Sequence, residues 1–391
     1  MNNGKRYAVF LLSFLTLLFC IKCGDISRLD SYLQGNDGNQ QNATYRIVDV
    51  QVENHITYRL AHPQYPHWTG DLWPSAWGDD DRLYTANGDG IAFGNRLLGC
   101  DIVFSIVDGS PLDMVGYTPP DAYREVIAGL WGPDENTLTR KPTGMVCVDG
   151  DIYLFFQNLR DDFGDAPHAS ISVTHDKGLT WEYETSQPMF TDHVFTTGFF
   201  LDYGKCQEHA VDDYIYVYGL DYNWRFTDTF AQTKMYLARV PRDRIMERSA
   251  WEFFTGLDNG TPEWSPEIED KVTVIEDETK YACGGKSGIC QGSVVYIPQL
   301  KRYLYSTRSK CSWMFWEAEQ PWGPWTRVAV VDWKGEWTEE YHAGYNAMIF
   351  TKYLDADGRG GWIVSSLSSS TFDGKYYNMG FRRFTLEVEK L

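Results

Sequence analysis

The chain has 391 residues, with 35 Lys and Arg against 54 Asp and Glu, for a formal net charge of −19. A chain this acidic repels nucleic-acid phosphates and anionic membrane surfaces, so neither is an expected partner. The balance otherwise favours solubility and leaves the activity open.

Lys5 and Arg6 precede an apolar run over residues 8–21. The run is too short to span a bilayer comfortably and has the length of a secretion-signal core. Residues 1–23 therefore read as a signal peptide. Cys20, after Leu17, Leu18 and Phe19, loosely resembles a bacterial lipoprotein cleavage box, and Cys23 is a second candidate for lipid attachment. Residues 24–44 include a polar stretch rich in Gly, Asn, Asp and Gln, which cannot bury a core and reads as a flexible spacer. The expected protein is secreted or held at the cell surface or outer membrane as a lipoprotein. It touches a membrane only through that anchor, and it is expected to be a monomer. The sequons at Asn42 and Asn259 matter only in a eukaryotic host.

From residue 45 to 391 the pattern is short β-rich runs between Gly, Asp, Asn and Pro turns. Only residues 241–251 offer a charged helical candidate, and it is one short helix at most. Five segments repeat one order of events: a Gly-containing strand, a turn, an aromatic strand and a more variable strand. They begin near Trp68, Thr143, Thr197, Gly292 and Tyr345. Five such units predict an all-β fold, a five-bladed β-propeller, with a large β-sandwich as the alternative. In a propeller the innermost strands bring residues distant in sequence to one end of the axis, so no compact catalytic motif is expected.

Residues 174–181, Thr-His-Asp-Lys-Gly-Leu-Thr-Trp, match an Asp-box, a structural hairpin motif in which Asp176 binds turn amides and Gly178 supplies a positive φ. Tyr45-Arg-Ile-Val48 echoes the Arg-containing start of sialidases, but Val48 stands where Pro is expected. Of six cysteines beyond residue 23, Cys283 and Cys290 flank a Gly-rich loop and are the favoured disulfide pair, although spacing does not fix connectivity. There is no CxxC or HExxH pattern, and Asp355-Ala-Asp-Gly358 lacks the later Glu of a calcium loop and reads as a hairpin turn. No cofactor or catalytic metal is expected; a structural calcium stays open.

Glycoside hydrolysis needs two carboxyl groups at the scissile bond. Asp71 begins the first inner strand and Asp89 ends the next strand between two glycines, while Asp79, Asp80 and Asp81 read as a polar hairpin turn. Asp161, Glu208, Asp221 and Glu340 are the other catalytic candidates, and the expected pair joins Asp71 or Asp89 with a carboxylate from a later blade. Lys141, Arg160, Arg308, His209 and His342 are candidates for binding hydroxyls or a substrate carboxylate. Trp73, Trp77, Trp224 and Tyr345 are candidates for stacking on sugar faces.

Tyr236-Leu-Ala-Arg-Val-Pro241, Ala250-Trp-Glu-Phe-Phe-Thr-Gly256, Leu300-Lys-Arg-Tyr-Leu304 and Pro321-Trp-Gly-Pro-Trp325 resemble the DUF4185 family of exported propeller proteins, and residues 77–90 are similar to its first-blade signature. The resemblance covers roughly residues 68–384. It implies a five-bladed propeller and glycoside hydrolase activity, since some members are endo-acting arabinanases on D-arabinan; many relatives have no assigned activity. The expected function is hydrolysis of an extracellular polysaccharide or oligosaccharide. The alternative is a non-catalytic glycan-binding propeller.

Overall fold

The computed structural model describes residues 44–53, 58–60, 69–94, 100–133, 135–161, 165–223, 233–279, 289–308, 312–332, 345–366 and 377–391. All belong to one compact unit, Thr44–Leu391. Among them, helix is confined to 3₁₀ turns, including Arg248–Ala250 in the one helical candidate of the sequence. No helix among the described residues is long and apolar enough to cross a membrane.

Among the described residues, twenty-two strands follow one another: β1 (Tyr45–Val52), β2 (Tyr58–Leu60), β3 (Ser75–Trp77), β4 (Leu83–Asn87), β5 (Val103–Asp108), β6 (Val115–Tyr117), β7 (Leu138–Val148), β8 (Asp151–Arg160), β9 (His168–Thr174), β10 (Thr197–Asp202) and β11 (Tyr214–Leu220). Then come β12 (Lys234–Pro241), β13 (Glu252–Asp258), β14 (Thr261–Ser265), β15 (Thr273–Glu276), β16 (Ser293–Ile297), β17 (Arg302–Arg308), β18 (Ser312–Ala318), β19 (Thr326–Asp332), β20 (Tyr345–Leu354), β21 (Gly360–Ser366) and β22 (Met379–Lys390). Consecutive strands pair antiparallel as meanders β3-β4-β5-β6 and β7-β8-β9. A third meander from β10 and a fourth from β16 touch through a short parallel contact, Leu201↔Val294 and Asp202↔Val295. The last sheet is β20-β21-β22 with β1 outermost, so the two ends of the folded unit share a sheet, Tyr45 pairing Lys390 and Val52 pairing Phe384.

The innermost strands form a closed cycle of neighbours: β3 beside β7, β7 beside β10, β10 beside β16, β16 beside β20, and β20 back beside β3. They surround a cavity of about 20 Å³ lined by Ser75, Met145, Asp202, Ser293 and Phe350, room for about one water. Asp202 spans it, accepting from the Thr351 backbone N–H at 2.9 Å and the Thr351 hydroxyl at 2.8 Å. Apolar layers fill the spaces between successive sheets. Tyr84, Phe104, Leu154 and Phe156 pack between the first two. Phe199, Tyr218, Tyr305 and Trp316 join the third meander to the fourth. Leu83, Met348 and Phe381 close the last sheet onto the first. Each such side chain contributes about 1.5–3 kcal/mol by leaving water. Sheets apolar on both faces explain why alternation is weak in β17 and β18, which are buried along their whole length.

The turns follow their residues. Asp176 accepts the Thr180 N–H at 2.8 Å and the Thr180 hydroxyl at 2.6 Å, and Gly178 (φ +94°) leaves room where a Cβ would lie 2.1 Å from Phe104. The Asp355 backbone carbonyl accepts the Gly358 N–H in the β20–β21 turn. One expectation is corrected. The bridge joins Cys147 on β7 to Cys206 after β10, whereas Cys290 is a buried thiol beside Arg308 and Cys283 lies outside the described residues. The inner strands of adjacent sheets bring Cys147 and Cys206 together, which loop spacing cannot report.

Candidate active site

The β3–β4 hairpin sets the site. Asp71 and Gly88 exchange both backbone hydrogen bonds, 3.0 and 3.1 Å, just beyond the regular strands. Gly70 has φ +119°, and a Cβ there would lie 2.1 Å from Asn87 Nδ2, so the close return of the chain requires glycine. Asp89 follows Gly88 and itself sits at φ +50°. Asp71 and Asp89 therefore leave neighbouring positions of one hairpin. At Gly88 a Cβ would stand 2.9 Å from Asp71 Oδ1 and 3.2 Å from Lys141 Cδ, so the missing side chain keeps space beside the acid and the amine.

Lys141, near the start of β7, is 3 % exposed and donates its ammonium to Asp89, whose side chain is 39 % exposed. Gln157 lies opposite Lys141 in the β7–β8 register. Its Oε1 accepts from the Thr197 hydroxyl at 2.7 Å, and its amide reaches Asn223 at 3.3 Å. Arg308, at the end of β17, and Tyr377 complete the surroundings of Asp71. Gln291 and Asn346, ahead of or at the start of the other inner strands, are buried at the same ends.

Asp71 is 5 % exposed and its Oδ1 is buried with no hydrogen bond. Burial, and after it the Asp89 charge, push its carboxyl up to about 7; Lys141, the Tyr377 hydroxyl and Arg308 act in the opposite sense. The cluster thus holds one carboxyl that keeps a proton near neutrality and a second, more accessible one fixed by a lysine.

The other sequence candidates separate by position. Asp221, past the end of β11, lies at the same end of the sheets, but it accepts the Phe195 N–H at 2.8 Å and pairs with Lys271 at 3.3 Å. Arg160 pairs with Asp165 at 2.8 Å, which also binds His193 at 3.1 Å. Asp161 is exposed, its N–H donating to the Thr137 carbonyl. Glu208 and His209 follow the far end of β10, on the side where Lys205 approaches Asp81, so they are away from Asp71. Trp77 also sits at that far end, its indole donating to Asp81 at 2.8 Å. Trp73 is corrected most clearly: Leu72 and Trp73 both have positive φ, which turns the ring inward to 0 % exposure, leaving no face for a sugar. Glu340, His342 and Trp224 lie outside the described residues, and only the backbone of Tyr345 is described, at the start of β20. Tyr377, Gln157, Asn223, Gln291 and Asn346 carry no motif; the last four lie near ends of inner or next-to-inner strands, and Tyr377 just ahead of β22. Among the described residues no group of three or more His, Cys, Asp or Glu could hold a metal ion.

Fold and site together define an all-β protein whose innermost strands ring a narrow axis, with Asp71 and Asp89 beside the first hairpin at one end. The chain belongs to the DUF4185 family, described as a domain of unknown function, which matches residues 37–378. No curated protein matches the chain. Among solved structures it is similar to a candidate hydrolase from Bacteroides ovatus ATCC 8483, at 13% identity and TM-score 0.53, covering 89% of this chain and 95% of that one. It is also similar to a candidate exo-β-1,3-galactanase from Bifidobacterium bifidum s17, at 11% identity and TM-score 0.48, covering 84% and 95%. A GH43 β-xylosidase/α-arabinofuranosidase from a compost microbial metagenome, in complex with xylotriose, matches at 13% identity and TM-score 0.46, covering 87% and 95%.

Proposed function

We propose that this chain is an exported glycoside hydrolase, built as a five-bladed β-propeller from residue 45 onward, that cleaves an extracellular polysaccharide. The observation that carries the reading is the buried Asp71 carboxyl, raised to about 7 beside the accessible, lysine-bound Asp89. A glycosidase needs one carboxyl still protonated at working pH and one ionised. Asp71 gives its proton to the leaving glycosidic oxygen. Water adds to the anomeric carbon, and its proton passes to Asp89, the ionised carboxyl nearby. Lys141 holds Asp89 in place. The closed cycle of inner strands and the interleaved apolar layers support the blade count. The glycosidases among the similar folds agree with this reading without fixing a substrate.

Export, with residues 1–23 as signal, 24–44 as spacer and a lipid anchor at Cys20 or Cys23, is supported by the Cys147–Cys206 bridge, because such bonds persist mainly in oxidising compartments. The protein is proposed to act as a monomer on carbohydrate alone.

One observation favours the binding-only reading: among the described residues, no carboxylate from a later sheet stands out beside Asp71. The two readings separate in one experiment. Asp71→Asn and Asp89→Asn variants are assayed against plant, algal and bacterial polysaccharides, with turnover and binding measured separately. Hydrolysis predicts a loss of about 10²–10⁴-fold in kcat with binding retained within a few fold. Normal turnover by both variants would remove these residues from the mechanism, and saturable binding with no turnover by the unmutated chain would leave a capture protein.

A further inference from the structure

A second cavity lies on the first two sheets, apart from Asp71 but tied to it through one residue. It measures about 310 Å³, at the small end of the range for ligand pockets, and is lined by Trp131, Glu135, Asn136, Arg140, Tyr183 and Thr185. Its aromatic walls are fixed by their polar atoms. The Trp131 indole donates to the Thr185 carbonyl at 3.2 Å, and the Tyr183 hydroxyl donates to the Glu125 carbonyl at 2.6 Å. The two rings meet edge to face at 6.4 Å. Asn158, fully buried on β8, clamps the backbone beneath them, donating to the Gly129 carbonyl at 2.9 Å and accepting the Trp131 N–H at 3.3 Å. A Cβ at Gly129 would lie 2.7 Å from the Trp131 ring and 3.0 Å from the Tyr183 ring, so glycine is what lets them approach. Rings already held in place lose little side-chain freedom when a ligand arrives.

The charges select the ligand. Arg140 is already neutralised: its guanidinium and its backbone N–H both donate to Asp101, at 3.0 and 3.2 Å. Glu135 adds a carboxylate on the exposed rim, beside the Asn136 amide. An anionic ligand would meet no unmatched cation among these lining residues, whereas hydroxyls find a carboxylate, an amide and an arginine. The half-buried Tyr183 ring, backed by Trp131, which is stacked on Phe156, suits with such groups the apolar and hydroxyl-bearing sides of a sugar ring.

The cavity is also coupled to the centre. Arg140 precedes Lys141 on β7, and the Asp101 carbonyl accepts from the Lys141 ammonium at 3.4 Å while its carboxylate holds Arg140. We propose that this cavity is a distal subsite for one neutral sugar residue of the same chain that reaches Asp71 and Asp89. The assignment rests on the carbohydrate reading of that centre, and not on the centre being catalytic.

The test is calorimetry on the full chain carrying Asp71→Asn, titrated with neutral xylo-, arabino- and galacto-oligosaccharides of two to six residues. Adding Glu135→Ala with Asn136→Ala, both exposed and safe for folding, is expected to weaken the tightest oligosaccharide at least fivefold. Tyr183→Leu, which keeps apolar bulk, is expected to do the same. Affinities unchanged within twofold in both variants, or no saturable binding by any member of the panel, would overturn the subsite. Turnover measured separately with Asp71 intact distinguishes the two ways of failing: full activity of Asp71→Asn would end the acid assignment while leaving the subsite to stand on binding.

Discussion

Asp71 is held in conflict with its surroundings. The unfolded chain titrates it near 3.8, and the folded chain near 7. Between those values the folded state binds more protons than the unfolded one, so stability falls as pH rises from about 4 to about 7 and then levels off. The full span is worth on the order of a few kcal/mol. Asp71→Asn removes the titration, so urea melts of that variant are expected to lose this downward trend and to gain stability relative to the parent at pH 8. A parallel pH dependence in the two proteins would show that Asp71 is not strained. Asp71 was legible as the start of the first inner strand, and Asp89 because a glycine stands on each side of it. Tyr377 and Gln291 were not, because their relevance comes only from strands hundreds of residues apart meeting. Trp73 misled for a local reason: two successive positive φ values break the alternation that a strand reading assumes.

At the level of elements, the short strands were readable because turn residues bound each of them, as at Asp176 and Asp355. Which sheet neighbours which was less so, and the bridge shows why. Cys147 ends an inner strand and Cys206 follows the next one, 59 positions later, with nothing in their local sequence marking them as partners. In the chain-entropy view, closing a loop of that length stabilises the fold by about 4 kcal/mol, and strain and residual structure bring measured values to about 2–4. Replacing both cysteines with Ala is therefore expected to lower unfolding free energy by about 2–4 kcal/mol. Peptide mapping without reductant should first recover the Cys147 and Cys206 peptides as one linked species. Separate peptides, or a pairing with Cys290, would contradict the arrangement.

On the scale of the whole molecule, the ring of sheets ends with its last sheet joined to the first described strand of the chain. The β1 strand does this by pairing with β22 along Tyr45–Val52, a contact between residues more than three hundred positions apart that no repeat in the sequence announced. The apolar content of this closure is concentrated in Ile47 and Val50, 0 % and 2 % exposed, packed with Val295, Trp313 and Leu386. Its charges lie outside: Arg46 and Glu389 pair at 2.5 Å, but both are more than half exposed. Magnitudes then decide which matters. Ile47→Ala should cost about 2–5 kcal/mol through lost burial and the cavity left behind. Arg46→Ala should change stability by no more than about 1 kcal/mol, because exposed ion pairs are screened and entropically costly. If closure couples the sheets, Ile47→Ala should also shift the unfolding of the entire unit as one transition, with tryptophan fluorescence and far-ultraviolet circular dichroism moving together. A separate early transition, with the remaining sheets melting at the parent midpoint, would mean that the ring does not depend on its seam.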